Sequence, residues 1–140
     1  MANVIKTISA TIFGLAGFLW GELDGLMLAL LAFMALDYAT GVAVGFLRRE
    51  LSSHTGFIGL ARKGLILVVV AVGHIVDTQV LGGAASLCRS AVIGFYLANE
   101  GLSILENAGK LGLPLPAFLR RALEQLRDKS NEPEKEEESA

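Results

Sequence analysis

The sequence predicts an all-α integral membrane protein with about four transmembrane helices plus a C-terminal amphipathic helix. Three observations predict it. Of 140 residues, 53% are hydrophobic and 19% charged, with a mean hydropathy of +0.55, so the apolar share exceeds that of ordinary globular chains. The apolar residues are gathered into long runs between Val4 and Leu105, as bilayer-crossing helices require. Lysine and arginine are distributed unevenly about those runs, in the manner of a membrane topology signal.

The elements follow in order. The first run, about 4–20, has one lysine, Lys6, and then becomes continuous, like the start of a secretory signal. Leu19, Trp20 and Gly21 lack the small-x-small cleavage pattern, so an uncleaved first span is expected. It is short for ~30 Å of hydrocarbon. Glu22 and Asp24 make an acidic turn, and the second span, about 25–47, is interrupted only by Asp37, Tyr38 and Thr40. Next, "RRELSSHTGFIGLARK" reads as a basic loop holding Arg48, Arg49, Arg62 and Lys63, with Gly56 and Gly59 as breakers. A third span is expected at about 64–81, a turn at "GGAAS", and a fourth and least hydrophobic span at about 87–105.

Gly109, Gly112, Pro114 and Pro116 close this 1–109 region, and Pro116 is suited to open a last helix. Phe118, Leu119, Ala122, Leu123 and Leu126 form one face of it, so residues 110–127 read as an amphipathic surface helix. The acidic 128–140 segment is expected to be disordered. Four spans place both termini and the basic loop on one side, together with every basic residue but Arg89. That is an N-in, C-in topology.

Several function classes are disfavoured. A net charge of -2 lacks the concentrated basic surface that nucleic acid requires. Cys88 is alone, His54 and His74 fall in separate segments, and neither a phosphate-cradling glycine loop nor a nucleophile elbow is present. No enzyme activity, metal or cofactor is expected.

The polar residues inside the runs carry the remaining information. A carboxylate in a spanning helix costs about 2.5 to 3.5 kcal/mol at mid-bilayer, so Asp37 needs a partner, water or a proton. Thr40 lies one turn along, and Gly41 to Gly45 is a small-xxx-small pattern. These residues either pack the subunit internally or form a self-association face. His74 and Asp77, three apart, are placed to hydrogen-bond with each other. Arg89, Ile93, Tyr96, Glu100, Ser103 and Asn107 form one helical stripe, which makes the fourth run amphipathic. Arg89 and Glu100 lie roughly 16 Å apart along that axis, too far to pair within the helix. The spacing leaves two readings open: a solvated helix end, or a face packed on protein in one state and wetted in another.

Three stretches resemble phage holins of the toxin-secretion/phage-lysis family: "LDYATG" (36–41), "SSHTGFIGLARK" (52–63) and "NEGLSILENAGKLGLPLP" (99–116). The resemblance implies a non-enzymatic, homo-oligomeric protein of the host bacterial cytoplasmic membrane. It would open lesions in the lipid bilayer that release a partner endolysin. It also implies that Asp37, Thr40, Gly41, Gly59, Lys63, Glu100, Ser103, Glu106, Asn107, Gly112 and Pro116 occupy family positions. Candidates for oligomerisation or lesion lining are therefore Asp37, Thr40, Gly41, Gly45, Arg89, Tyr96, Glu100, Ser103, Glu106 and Asn107. The acidic tail and the intramembrane Arg89 depart from the pattern. A small proton-coupled transporter using Asp37, or an antiholin restraining a partner holin, shares these features.

Overall fold

The computed structural model describes the backbone of residues 1–138 and the side chains of residues 1–130. Every regular element among them is helical: α1 (Ala2–Trp20), α2 (Gly25–Leu47), α3 (Ser53–Ile75) with a π-helical turn at Val76–Val80, α4 (Leu87–Lys110) and α5 (Ala117–Glu138). Three stretches are long and apolar enough to cross a membrane, namely α1, α2 and Ser53–Val80.

Local chemistry sets the boundaries. Gly21 ends α1 at φ 73°, a left-handed conformation that favours glycine. Asp24 then caps α2, its Oδ1 accepting the Met27 amide at 2.9 Å. Ser52 caps α3 in the same way, its Oγ accepting the Thr55 amide at 3.1 Å. This cap corrects the sequence reading. The basic segment becomes helical from Ser53, so Arg62 and Lys63 lie within α3, not in a loop. Gly56 and Gly59 do not break the helix either. An added Cβ would meet the Tyr38 hydroxyl at 3.5 Å from Gly56 and the Tyr38 ring at 3.9 Å from Gly59, so the glycines lie along the side of α3 that faces Tyr38. At the chain's other end, α5 is helical through Glu138 and takes in most of the segment expected to be disordered from 128. Glu and Lys, which make up most of this segment, are good helix formers, whereas Pro133 is not. Residues 139 and 140 lie outside the described residues.

The core forms where α2, α3 and α4 meet. Met27, Leu30 and Met34 from α2 pack with Ile66 and Val70 from α3 and Ile93 from α4, and Trp20 and Tyr96 close the edges. The spacings of three and four put each set on one helical face. The outer surface reverses the pattern of a water-soluble protein. No α1 residue is buried, and Ile5, Ile8, Ile12, Phe13 and Phe18 are each more than half exposed. Meanwhile Asp77, Arg89, Glu100 and Asn107 are buried. Apolar groups outside and charges inside suit a chain whose solvent is lipid.

Candidate functional site

Three helices bring one cation and two carboxylates together. Lys63 Nζ on α3 donates to Asp37 Oδ2 on α2 at 2.7 Å and also to Glu100 Oε2 on α4. The three side chains are only 11%, 16% and 10% exposed. Asn107, two turns beyond Glu100, donates its amide to Thr40 Oγ1 at 3.0 Å and to Asp37 Oδ1 at 3.3 Å. Thr40 in turn donates to the Leu36 and Asp37 carbonyls. With all three groups ionised the cluster carries one net negative charge, which the Asn107 amide dipole partly offsets.

The cluster sits deep. Asp37 is twelve residues from the start of α2 and ten from its end, or roughly 18 and 15 Å by helical rise. A cleft of about 840 Å³ reaches it between α2 and α3. Glu50, Ser52, Arg62 and Lys110, from the helix ends, also line this cleft.

A second polar site ties the opposite helix ends together. Arg89 donates through Nη1 to Asp24 Oδ2 at 2.7 Å, through Nε to the Trp20 carbonyl at 2.8 Å and through Nη2 to the Glu22 carbonyl at 2.9 Å. One guanidinium therefore holds the α1–α2 turn against the start of α4. The Arg89 hydrogen bonds, joined by the Met27 amide, hold the Asp24 carboxyl below the usual carboxylate range. Asp77 completes this end. Its two carboxylate oxygens accept the Cys88 and Arg89 amides at 2.9 and 2.8 Å, so a residue of the π-helical turn caps α4 in place of Ser86.

Several sequence expectations are corrected here. Asp77 does not pair with His74, because its oxygens are committed to the amides that open α4. His74 Nδ1 is buried without a hydrogen-bond partner among the described residues, its ring lying against Gly21. Arg89 and Glu100 share a stripe but separate tasks: Arg89 binds Asp24, and Glu100 binds Lys63. Glu100 and Asn107 are buried against other helices, so this part of α4 is not a solvated helix end.

Of the remaining candidates, Tyr96, Ser103, Gly41 and Gly45 line the cleft with Asp37, Glu100 and Asn107, and Glu106 points outward. Gly41 lies 3.7 Å, by its ideal Cβ, from the Asn107 amide, whereas Gly45 meets Leu51 of the following turn. The close helix approach is at Gly73, where a Cβ would stand 3.2 Å from the backbone of Cys88 and Arg89.

The central role of Lys63 is hidden in the sequence because its glycine-rich, basic surroundings read as a loop. The Ser52-x-x-Thr55 cap, followed by Phe57, Ile58 and Leu60, carried the signal that α3 starts earlier.

The bacteriophage holin family matches residues 14–128 of the chain. A probable holin of Bacillus phage phi105 is 35% identical over 88% of this chain and 90% of its own length. An uncharacterized protein of Clostridium perfringens is 46% identical over 81% of this chain and 83% of its own. A second protein of that species, described as a 14.9 kDa protein in the nagH 3' region, is 42% identical over 92% and 99% respectively. No solved structure matches.

Proposed function

The chain belongs to the bacteriophage holin family, and from that premise we propose that it oligomerises in the host cytoplasmic membrane and opens lesions through which an endolysin leaves the cell. In this reading the chain crosses the bilayer four times with both termini inside. Helix α4 is too polar to be a span by hydropathy, but it runs level with α2. Arg89 reaches the α2 cap residue Asp24 at one end, and Arg48 reaches the Lys110 carbonyl at 3.5 Å at the other. A helix fixed to both ends of a span shares its depth.

The observation that carries the proposal is the Asp37–Lys63–Glu100 cluster. Each of these charges alone would cost about 2.5 to 3.5 kcal/mol at mid-bilayer. Paired within one subunit they are tolerated, and hydrophobic residues would make a simpler packing element. What the charges add is a surface that accepts water once subunits gather, with Tyr96, Ser103 and Asn107 beside them along the cleft.

The test is inducible expression in a bacterium that holds a separately supplied cytoplasmic endolysin, following culture density and enzyme release. The proposal expects normal growth and then abrupt lysis that requires both proteins. Glu100→Ala with Ser103→Ala, at equal accumulation, shifts the time of lysis. Unchanged timing removes the α4 stripe from the mechanism. One observation favours a second reading: a cleft reaching a deep carboxylate also suits a proton-coupled transporter. That protein would exchange a substrate without releasing endolysin and would fail on Asp37→Asn. An antiholin would instead leave growth intact and delay lysis by a partner holin.

A further inference from the structure

We propose that the Asp37–Lys63–Glu100 cluster is a proton-binding site, served by an aqueous path that enters the cleft from the inner end of α2. The site rests on the four-span reading, in which the Arg48 end of α2 faces the cytoplasm, and does not depend on assembly or lysis.

The charges of the cluster select the ligand. Two carboxylates share one ammonium, so with all three ionised one negative charge is left at a depth that penalises it. The seat between the carboxylates, which a metal ion would take, is filled by Lys63 Nζ. Among the described residues no three metal-ligating side chains gather, and Arg62 and Lys110 along the cleft repel a further metal cation. A proton needs only one free carboxylate oxygen. Asp37 Oδ2 accepts from Lys63 and Oδ1 from Asn107, whereas Glu100 Oε2 accepts from Lys63 and Oε1 has no hydrogen bond among the described residues. The proton therefore adds at Glu100 Oε1, which turns the carboxylate into a carboxylic acid and leaves the cluster neutral.

Helix α4 supplies the route to that oxygen. Ser103 and Asn107 follow Glu100 by three and seven residues, on the same face and toward the Lys110 end, and both line the cleft. Thr40, Thr78 and Ser130 each donate to the carbonyl four residues back, but the Ser103 hydroxyl has no such bond among the described residues. There, the one buried side-chain polar atom without a partner is His74 Nδ1, at the other end of the bundle, so the free Glu100 oxygen is not sealed from solvent. A cleft of about 840 Å³ with these polar groups along it has the room and the partners that water needs. Beside the cluster, the ionisable groups facing the cleft are Tyr38 from α2, Glu50 from the following turn, Arg62 from α3, and Tyr96 and Lys110 from α4. Helix α5 meets α4 at Gly94 and Gly101 through Leu123, Leu126 and Ser130, none of which ionises.

The first arm of the test is infrared spectroscopy of the full chain in phosphatidylcholine vesicles, following the band of a buried protonated carboxyl as the bathing pH is lowered. The band should grow. Glu100→Gln and Asp37→Asn each leave one carboxylate for one ammonium, so each should abolish it. Lys63→Met leaves two carboxylates without a cation and should hold the proton at least roughly tenfold more tightly. A band that ignores pH, or that survives either neutralising variant, overturns the inference. The second arm needs no change in the cluster. In a Cys88→Ala chain at low expression, Ser103→Cys is exposed to a charged, membrane-impermeant thiol reagent in vesicles of both orientations, and Ser52→Cys marks the mouth. Because the thiolate forms where water reaches it, Ser103→Cys should react roughly tenfold faster from the inner face than from the outer. Equal rates, or no reaction where Ser52→Cys reacts, overturn the path. Reaction of both cysteines from the outer face alone overturns the inference together with the N-in, C-in reading. Inner-face reaction without endolysin release keeps the proton site and removes the lesion reading, and endolysin-dependent lysis with an unreactive Ser103→Cys does the reverse.

Discussion

Replacing Lys63 by Met tests whether the buried cluster holds three helices together. The substitution keeps an unbranched side chain of similar length and removes the ammonium that Asp37 and Glu100 share. Both carboxylates stay at most 16% exposed, near each other and without a cation. Removing one partner of a buried pair costs about 3 to 5 kcal/mol. The cleft admits some solvent, so the lower end applies. About 3 kcal/mol corresponds to a change of roughly 100-fold in the unfolding equilibrium. Trp20, the sole tryptophan, is a suitable reporter because its Nε1 donates to the Leu67 carbonyl of α3 at 2.8 Å. Denaturant unfolding in micelles, followed by its fluorescence, gives the shift. Glu100→Gln alone should cost less, about 1 kcal/mol, because Lys63 keeps Asp37. Combined, Lys63→Met and Glu100→Gln should recover a good part of the Lys63→Met loss, since only one carboxylate is then unpaired. A Lys63→Met protein within about 0.5 kcal/mol of the parent, or strictly additive losses in the double variant, would refute the reasoning.

Three further outcomes are expected. Asp24→Asn keeps the α2 cap acceptor and removes the charge that Arg89 binds. Because the folded Asp24 pKa is depressed, the charge stabilises the protein fully above the unfolded value of about 3.9 and is lost as pH falls through the lower folded value. The stability gap between parent and variant should therefore be present at neutral pH and close only on strong acidification. A gap that widens on acidification contradicts it. Gly73→Ala places a methyl 3.2 Å from the α4 backbone, which cannot yield as a side chain would. It should cost about 1 to 3 kcal/mol in the same unfolding assay. Glu106→Gln, exposed and outside the cluster's hydrogen bonds, should stay within about 0.5 kcal/mol of the parent and leave lysis timing unchanged.

Much of this architecture was legible in the sequence, and the reasons differ by element. Helix α2 begins where an acidic cap, Asp24, precedes an apolar run, a signal the sequence carries openly. The stripe from Arg89 to Asn107 follows from helical spacing, which is a geometric fact about the chain. What the stripe touches was not legible. Glu100 could have met Arg89 from another helix, and only the packing shows that Lys63 takes it. Lys63 itself was misplaced because glycine and positive charge look like a loop, and a serine cap outweighs both locally. The role of Asp77 was hidden for another reason. It satisfies amides eleven and twelve residues away across a turn, a distance at which sequence spacing carries no directional information.

The low hydropathy of the fourth run has a structural cause. One face of α4 presents Tyr96, Glu100, Ser103 and Asn107 to α2 and α3, and another presents Gly94 and Gly101 to α5. Little of the helix is left for lipid. Hydropathy thresholds assume that a spanning helix shows much of its surface to hydrocarbon, as α1 does with no buried residue. A helix enclosed by protein is free of that demand, and its side chains are fixed by pairing and close approach instead. The same enclosure makes α4 the element with most to gain or lose when neighbours rearrange. With α5 covering its glycine face, the side of α4 that meets the cleft carries Glu100, which shares the Lys63 ammonium with Asp37.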